Sequence, residues 1–294
     1  MSIQFISGSI VALVTPMHED GSVDYESLLQ LLEFHKVSGT SAVVMVGTTG
    51  ESATLEFDEH IEVIKYCVRA KKIPIIAGCG ANSTAEAVAL TKAVASEQIL
   101  ATLSVTPYYN KPTQQGMIMH YTAVADASEV PLILYNVPSR TGVDLLPETV
   151  VTLANHPHIV GLKEAIGDMA RIDTLRRTLP NDFSIVSGDD ATFLDCLQHG
   201  GNGVISVSAN VVPNIIAEIC KLWFAGQHQQ ARVLDSTLAS LHKDLFVESN
   251  PIPVKWALYK MKKIKNYLRL PLTPLSEKYF SAVSSALKQA GVPE

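Results

Sequence analysis

The stretch Pro131-Leu-Ile-Leu-Tyr135 is apolar at consecutive positions, and Ile73-Pro-Ile-Ile-Ala-Gly78 has the same character. A strand with one face in water alternates apolar and polar residues, whereas a parallel strand covered by helices is buried on both faces. These two stretches therefore predict parallel strands at the centre of an α/β protein.

Around them the chain repeats one unit, a short apolar run followed by a longer segment with helical periodicity. The runs begin 20 to 32 residues apart, which is the spacing that a strand, a crossover helix and two loops require. Eight such units predict a (β/α)8 TIM barrel, an α/β fold. The predicted strands are residues 9–16, 41–47, 73–80, 101–107, 131–138, 159–165, 183–190 and 203–210.

A doubly wound open sheet is the alternative α/β fold. Such a sheet usually carries a Gly-x-Gly-x-x-Gly turn after its first strand. Here the first run is followed by Thr15-Pro-Met-His-Glu-Asp-Gly21, which lacks that pattern. The barrel is therefore the fold that we expect.

Helix signals lie between the apolar runs. Ser83-Thr-Ala-Glu86 has the pattern of a capping box, so Ser83 is predicted to begin a helix. Three glycines stand where helices should end, namely Gly39, Gly200 and Gly226. One apolar stripe of the first predicted helix is formed by Leu28, Leu31, Leu32 and His35.

The eight units end near residue 225. We therefore expect residues 1–225 to form the barrel and residues 226–294 a helical C-terminal region, with Asn250-Pro-Ile-Pro253 as its elbow. Helices are predicted at 231–247, 253–264 and 276–290. The lysine-rich run from Lys255 to Lys265 is predicted to be a solvated helix face, because the net charge of the chain is negative.

Composition excludes several classes of protein. Of the 294 residues, 47% are hydrophobic and 18% charged, which excludes a disordered chain. A net charge of −6 gives no reason to expect nucleic acid or an anionic membrane as a partner. No apolar run reaches the length of a membrane span, and the first 16 residues lack the features of a signal peptide. We therefore expect a cytoplasmic protein with reduced cysteines.

Lys163 is the strongest candidate for chemistry. It lies in the otherwise apolar strand Ile159-Val-Gly-Leu-Lys-Glu-Ala165, and functional groups of a barrel lie at the C-terminal ends of its strands. Burial lowers the pKa of a lysine and favours the neutral amine, which can attack a ketone to form a Schiff base. The alternative is a structural salt bridge, but strand alternation places Glu164 on the opposite face. From these residues alone both interpretations stay open.

Three further features belong to neighbouring strand ends. Tyr135 could transfer protons, or be a packed core tyrosine with one hydrogen bond. Arg140 could hold a carboxylate through two hydrogen bonds, or lie on the surface. The segment Gly47-Thr-Thr-Gly50 offers backbone amides and two hydroxyls to a carboxylate, although an ordinary tight turn has the same pattern.

Metal and phosphate sites are not predicted. The nine histidines show no metal-ligand spacing, and no Gly-x-x-x-x-Gly-Lys loop is present. The pair Asp189-Asp190 could bind a cation, but we expect it to cap the helix after the seventh strand.

Taken together, these motifs resemble the pyruvate-dependent class I lyases that work through a lysine Schiff base. Within that group, Ser139-Arg140 and Tyr108-Tyr109 resemble the members that condense pyruvate with L-aspartate 4-semialdehyde on the way to diaminopimelate and L-lysine. The similarity covers essentially the whole chain. The segments that match the family's motifs are residues 8–16, 47–54, 105–110, 135–142, 161–165, 203–207 and 246–256.

The resemblance implies a role for each matching residue. Lys163 forms the imine with pyruvate, whose carboxylate is bound by Thr48 and Thr49. Tyr135 relays protons, and Thr48 links it to Tyr109, which in this family comes from a neighbouring subunit. The remaining substrate-binding positions are Arg140, for the carboxylate of the semialdehyde, and Gly188 and Ile205, which line the pocket. A homotetramer of two tight dimers is implied, with no metal or organic cofactor.

Many members of this group are inhibited by L-lysine at the dimer interface. One position departs from the pattern, because Phe57 stands where sensitive members often have histidine. We therefore expect lysine to bind more weakly here. The positions that match the regulatory site are Ser52, Ala53, Leu55, His60, Asn82, Glu86 and Tyr108.

Two other functions stay open at this point. A related aldolase would act on sialic acid or a keto-deoxy sugar acid, but a polyol substrate favours a small polar pocket where this chain has Arg140. A non-catalytic barrel would only bind a 2-oxo acid or an amino acid. The set of Lys163, Tyr135, Thr48 and Tyr109 favours an enzyme.

Overall fold

Eight parallel strands close into a barrel in the computed structural model, which describes residues 6–293. Each strand pairs with its neighbours in chain order, and β1 pairs with β8 to close the sheet. The (β/α)8 barrel is therefore confirmed. The strands are β1 (Gly8–Ala12), β2 (Ala42–Met45), β3 (Ile75–Gly78), β4 (Ala101–Val105), β5 (Leu132–Asn136), β6 (Ile159–Glu164), β7 (Ser184–Ser187) and β8 (Gly203–Ser206).

Helices cover the outside of the barrel, and α5 is an additional turn in the loop after β5. They are α1 (Tyr25–Val37), α2 (Phe57–Ala70), α3 (Thr84–Val94), α4 (Gln114–Ala125), α5 (Pro138–Thr141), α6 (Pro147–Leu153), α7 (Met169–Thr178), α8 (Phe193–Gln198), α9 (Pro213–Phe224), α10 (His228–Ser236), α11 (Ala239–Asp244), α12 (Ile252–Lys260) and α13 (Phe280–Gln289). No helix among residues 6–293 is long and apolar enough to cross a membrane.

All eight predicted strands are present, but every predicted run continues beyond the last residue of the observed strand. After β1, for example, Leu13 and Val14 are fully buried although the strand ends at Ala12. Apolar loop residues that cover the mouth of a barrel have the same composition as strand residues. The sequence therefore overestimates strand length at the C-terminal ends, where the functional residues lie.

The predicted helix boundaries follow the expected physical signals. Asp24 caps α1 by accepting from the backbone N–H of Ser27, and the predicted stripe of three leucines and His35 is buried. Gly39 follows α1 with a φ of +83°, a left-handed conformation that favours glycine. Ser83 is the N-cap of α3 and accepts from the backbone N–H of Glu86 at 3.5 Å, as predicted.

The C-terminal helices differ from the prediction in their bounds, and the helix predicted at 253–264 ends at Lys260. The single helix predicted at 231–247 is interrupted between α10 and α11. At the end of α10 the hydroxyls of Ser236 and Thr237 donate to the carbonyls of Val233 and Leu234, which weakens the continuation of the backbone ladder. These helices share one apolar core with the first strands of the barrel. Residues 1–5 and 294, at the outer ends of the two predicted regions, lie outside the described residues.

The prediction of a solvated lysine face is wrong for Lys255. This residue lies in α12 and is 0% exposed, and its Nζ is 2.5 Å from Oε1 of Glu51. Glu51 follows β2, so the pair joins the C-terminal helices to the mouth of the barrel. Charge count alone could not reveal this partner, because it lies 204 residues away.

Candidate active site

The C-terminal mouth of the barrel contains a cavity of about 240 Å³. Its walls come from the ends of all eight strands, from the loops that follow them, and from Phe246 and Asn250 of the C-terminal region. The strand ends are where a barrel places its functional groups. Six of the eight proposed catalytic and substrate-binding residues line it, namely Thr48, Thr49, Tyr135, Arg140, Lys163 and Gly188.

Lys163 and Tyr135 are direct neighbours in this cavity. They are register partners on β6 and β5, and Lys163 Nζ lies 4.3 Å from the centre of the Tyr135 ring. Both residues are buried, with 6% and 7% of their surface exposed. Among residues 6–293 no ion pair involves Lys163, so the structure does not support the alternative of a structural salt bridge.

Glu164 lies on the other face of β6, as strand alternation requires. Its Oε2 accepts from Nε of Arg171 at 2.7 Å, and both of its oxygens accept from the amide of Asn136. Burial raises the pKa of Glu164, and the Arg171 guanidinium opposes that shift. This network braces β5 and β6 from behind, next in sequence to Tyr135 and Lys163.

The turn after β2 presents backbone amides to the cavity. The N–H groups of Gly50 and Ser52 donate to the carbonyl of Gly47, at 3.0 and 3.2 Å. In the part of the chain that the structure describes, no hydrogen bond uses the N–H groups of Thr48 or Thr49. Two free amides beside two hydroxyls can bind a carboxylate, so the turn fits the role that the resemblance implied.

Arg140 lies at the rim of the cavity, on the short helix α5. Its side chain is exposed, and Nη2 donates to the backbone carbonyl of Asn250 at 3.3 Å. Arg140 is therefore both a surface residue and part of the cavity wall, the two positions that the sequence left open. An exposed guanidinium beside an opening can attract and hold an anionic substrate.

Two proposed site residues lie elsewhere. Ile205 is buried in the apolar cluster of the barrel interior, which also contains Tyr135, and it does not line the cavity. Tyr109 is 90% exposed, with a φ of +74°, and it contacts its own chain through its backbone N–H and the carbonyl of Thr141. Tyr109 therefore does not line the cavity of its own chain.

A second cavity of about 610 Å³ adjoins the first. It contains all but one of the predicted regulatory positions, and Phe57 lies in its wall with 42% of its surface exposed. His60 is held there by a 2.7 Å contact between Nε2 and the carbonyl of Gly78, and burial lowers its pKa. Asn82 is the exception, and its carbonyl accepts from the side chain of Asn110.

The two cavities share one wall. The residues common to both are Thr48, Ser52, Gly80, Val105, Val137, Arg140 and Asn250.

The acidic pair after β7 differs from the prediction. Thr192 occupies the N-cap position of α8, and its N–H and hydroxyl donate to Oδ2 of Asp189. Asp190 is buried and accepts from the backbone N–H groups of Val207 and Ser208. Asp190 therefore braces β8 instead of capping a helix. Among residues 6–293 no cluster of three or more residues suited to metal binding occurs.

Sequence reasoning missed the residues that hold the Thr48-Thr49 turn from the C-terminal side. These are Asn250, Lys255 and Arg269. One signal was available, since Lys255 lies in the apolar stretch Pro253-Val-Lys-Trp-Ala-Leu258. Like Lys163, this lysine is a charge within an apolar stretch, and a buried lysine needs a partner or a function.

Comparison with known proteins identifies the family. Residues 5–290 match the sequence model of the dihydrodipicolinate synthetase family. A 4-hydroxy-tetrahydrodipicolinate synthase from Methylococcus capsulatus is 54% identical, over 98% of this chain and 99% of that protein.

Solved structures agree. A chloride-inhibited dihydrodipicolinate synthase from Acinetobacter baumannii complexed with pyruvate is 53% identical, with a TM-score of 0.96 over 98% of this chain and 100% of that chain. The enzyme from Cyanidioschyzon merolae with lysine bound is 38% identical, with a TM-score of 0.95 over 99% of this chain and 100% of that chain. Sequence, fold and cavity therefore agree that the chain belongs to the dihydrodipicolinate synthetase family.

Proposed function

We propose that this chain is a 4-hydroxy-tetrahydrodipicolinate synthase, a carbon–oxygen lyase that condenses pyruvate with L-aspartate 4-semialdehyde. The observation that carries the proposal is the position of Lys163, buried in the cavity against Tyr135 with no acidic partner among the described residues. Relatives more than 50% identical over nearly the whole chain bear the name of this activity.

The chemistry begins at Lys163 Nζ. The neutral amine attacks the ketone carbon of pyruvate, and uptake of one proton with loss of one water gives a protonated imine. Because the imine withdraws electrons, a proton can leave the methyl group and form an enamine. The enamine carbon attacks the aldehyde of the second substrate. The amino group of that substrate then displaces Lys163, which closes the ring and regenerates the free amine.

The other cavity residues assist these steps. The free amides of Thr48 and Thr49 bind the pyruvate carboxylate, which directs the ketone carbon towards Lys163. The Tyr135 hydroxyl transfers protons during imine formation and loss of water. Arg140, at the rim, binds the carboxylate of the semialdehyde. Gly188 contributes backbone to the wall beside Lys163.

Assembly and regulation extend the proposal. The exposed Tyr109 supports a homotetramer built from dimers, in which this ring reaches the neighbouring subunit's cavity and meets Thr48. The lysine-bound relative and the second cavity support L-lysine as an inhibitor, despite Phe57. A biosynthetic role favours a cytoplasmic location, where the four buried cysteines stay reduced.

Two measurements test the proposed function. Sodium borohydride added with pyruvate should reduce one imine, on the peptide that contains Lys163, and a coupled assay with both substrates should show turnover. Lys163→Arg should lose both signals because a guanidinium stays protonated. Trapping on another lysine, or none, would contradict the Schiff-base mechanism. Trapping with turnover of sialic acid or a keto-deoxy sugar acid would favour the aldolase alternative.

A further inference from the structure

The turn that carries Thr48 and Thr49 is held by contacts with the C-terminal region, one of them from Asn250 in the wall of the cavity. Asn250 Nδ2 lies 2.9 Å from Thr49 Oγ1, and both residues are buried. A threonine hydroxyl has one proton to donate and can accept other hydrogen bonds. Because Asn250 donates to this oxygen, the Thr49 proton remains available to an anion in the cavity.

The end of the same turn is fixed by a buried ion pair. Glu51 has a φ of +59°, a left-handed conformation that is uncommon for a residue other than glycine. Its Oε1 accepts from Lys255 Nζ at 2.5 Å, and its Oε2 accepts from the backbone N–H of Arg269 at 3.1 Å. Lys255 Nζ also donates to the carbonyl of Thr15 at 2.9 Å. Both charged side chains are completely buried.

Stability alone does not account for this ion pair. The cost of removing two charges from water often equals or exceeds their attraction, and a well-packed apolar pair of similar volume would stabilise the fold as well. An ion pair also restricts geometry, because the carboxylate oxygens must lie within hydrogen-bond distance of their donors. Here the restricted residue is Glu51, which closes the Thr48-Thr49 turn.

We propose that Lys255 and Asn250, acting through Glu51 and Thr49, are positioning residues that hold the Thr48-Thr49 turn in the shape that binds the pyruvate carboxylate. This inference rests on the proposed function and assigns a role in the site to the C-terminal helices. Lys255 does not line the cavity, and Asn250, which does, is assigned a role through its contact with Thr49. Their effect should appear in the use of pyruvate and not in the use of the semialdehyde, whose carboxylate we assign to Arg140.

The test compares Lys255→Met, Glu51→Gln and the double variant with the parent protein. For each protein we would measure the pyruvate concentration that gives half-maximal borohydride trapping on Lys163, the KM of each substrate, and Tm. We expect the half-maximal pyruvate concentration to rise about tenfold or more in all three variants, because a small displacement of a binding group is costly. The KM of the semialdehyde should change less than about threefold.

The double variant separates positioning from stability. It removes both charges, so it should recover much of the Tm that Lys255→Met loses by leaving Glu51 buried and unpaired. The half-maximal pyruvate concentration of the double variant should still be higher than that of the parent. Phe280→Leu is a matched control, because it removes the ring that stacks on Trp256 in the same region without touching the turn. This control should lower Tm and leave the dependence on pyruvate unchanged.

Should Lys255→Met fail to fold, Asn250→Ala provides the second measurement. It removes the contact with Thr49 and keeps the backbone carbonyl that accepts from Arg140. Parent-like pyruvate dependence in Asn250→Ala and in the double variant would overturn the proposal and leave the proposed function intact. Absence of trapping in the parent would overturn the proposed function itself, and this inference with it.

Discussion

Gly188 leaves open the space that the Lys163 side chain occupies. A Cβ atom built on residue 188 would lie 2.7 Å from Cε of Lys163 and 2.8 Å from Cβ of Ala165, closer than real Cβ atoms come. The lysine reaches the cavity beside a backbone with no side chain, so the identity of residue 188 determines where the Lys163 amine can lie.

Gly188→Ala should therefore displace Lys163 more than it destabilises the fold. We expect kcat/KM for pyruvate to fall by about 10²-fold or more, because reacting atoms tolerate little misplacement. Stopped-flow or steady-state assays with varied pyruvate measure this. Gly226→Ala is the control, since its φ of +77° strains an alanine while nothing lies within 4 Å of its Cβ position and the residue does not line the cavity. Equal activity losses in the two variants would contradict the prediction.

Tyr135→Phe keeps the ring that packs beside Lys163 and removes the hydroxyl. Because a positioned proton donor contributes about 10²- to 10⁴-fold to the rate, kcat should fall by that order while the KM of pyruvate changes little. Tyr121→Phe is the matched control, because its hydroxyl donates to the Ser104 carbonyl outside the cavity. A Tyr135→Phe protein with parental kcat would remove the hydroxyl from the mechanism.

Arg140→Ala should affect the second substrate alone. Loss of one charge-assisted contact costs about 1.5–3 kcal/mol, so the KM of the semialdehyde should rise roughly ten- to a hundredfold. Borohydride trapping with pyruvate should remain near the parental level. If trapping collapsed as well, Arg140 would have a structural role, through its contact with the Asn250 carbonyl.

Phe57→His should strengthen inhibition by L-lysine. The phenyl ring in the wall of the second cavity can pack against methylenes but cannot make a hydrogen bond, and one such bond contributes about 0.5–1.5 kcal/mol. The half-inhibitory lysine concentration should fall up to about tenfold. Initial rates at increasing lysine measure the change, with calorimetry as a direct reading of binding. An unmoved inhibition curve would place Phe57 outside the lysine site.

Acid should destabilise the protein through buried histidines. Burial lowers the pKa of His35 to about 3, with a smaller effect of Lys263, and lowers the pKa of His120 to about 4. Both values lie below that of an unfolded histidine, near 6.5. The unfolded state therefore binds more protons below pH 6.5, and the stabilising contribution present above that pH is lost as pH falls.

Each of these histidines lowers the free energy of unfolding by about 1.4 kcal/mol for each pH unit of acidification, over the range in which only the unfolded state is protonated. Thermal unfolding between pH 7 and about pH 4 measures the slope. His35→Gln should flatten it, after allowance for its lower stability at pH 7. A variant that keeps the parental slope would show that His35 does not carry this dependence.

The fold could be predicted from sequence because its signal is local and repeated. Runs such as Pro131–Tyr135 indicate burial by their own composition, and eight repeats leave few architectures to choose from. Lys163 was identifiable for a related reason, since a charge inside an apolar strand is conspicuous without knowledge of its neighbours.

Contacts between distant segments were not predictable in that way. Asn250 and Thr49 are 201 residues apart, and Lys255 and Glu51 are 204 apart. No periodicity links such positions, because their meeting depends on how the C-terminal helices pack across the mouth of the barrel. The division of the chain near residue 225 and the subunit assembly stay predictions for the same reason.

The common wall of the two cavities suits an inhibitor with two linked binding groups. A pyruvate-like head in the smaller cavity and a lysine-like head in the larger one would both contact shared residues such as Thr48 and Ser52. Joining the heads by a short tether makes the second binding event intramolecular, with an effective concentration in the millimolar range. Two weakly binding fragments would then act as one tighter ligand. A mutation that confers resistance by altering one cavity would also have to preserve the shape of the other.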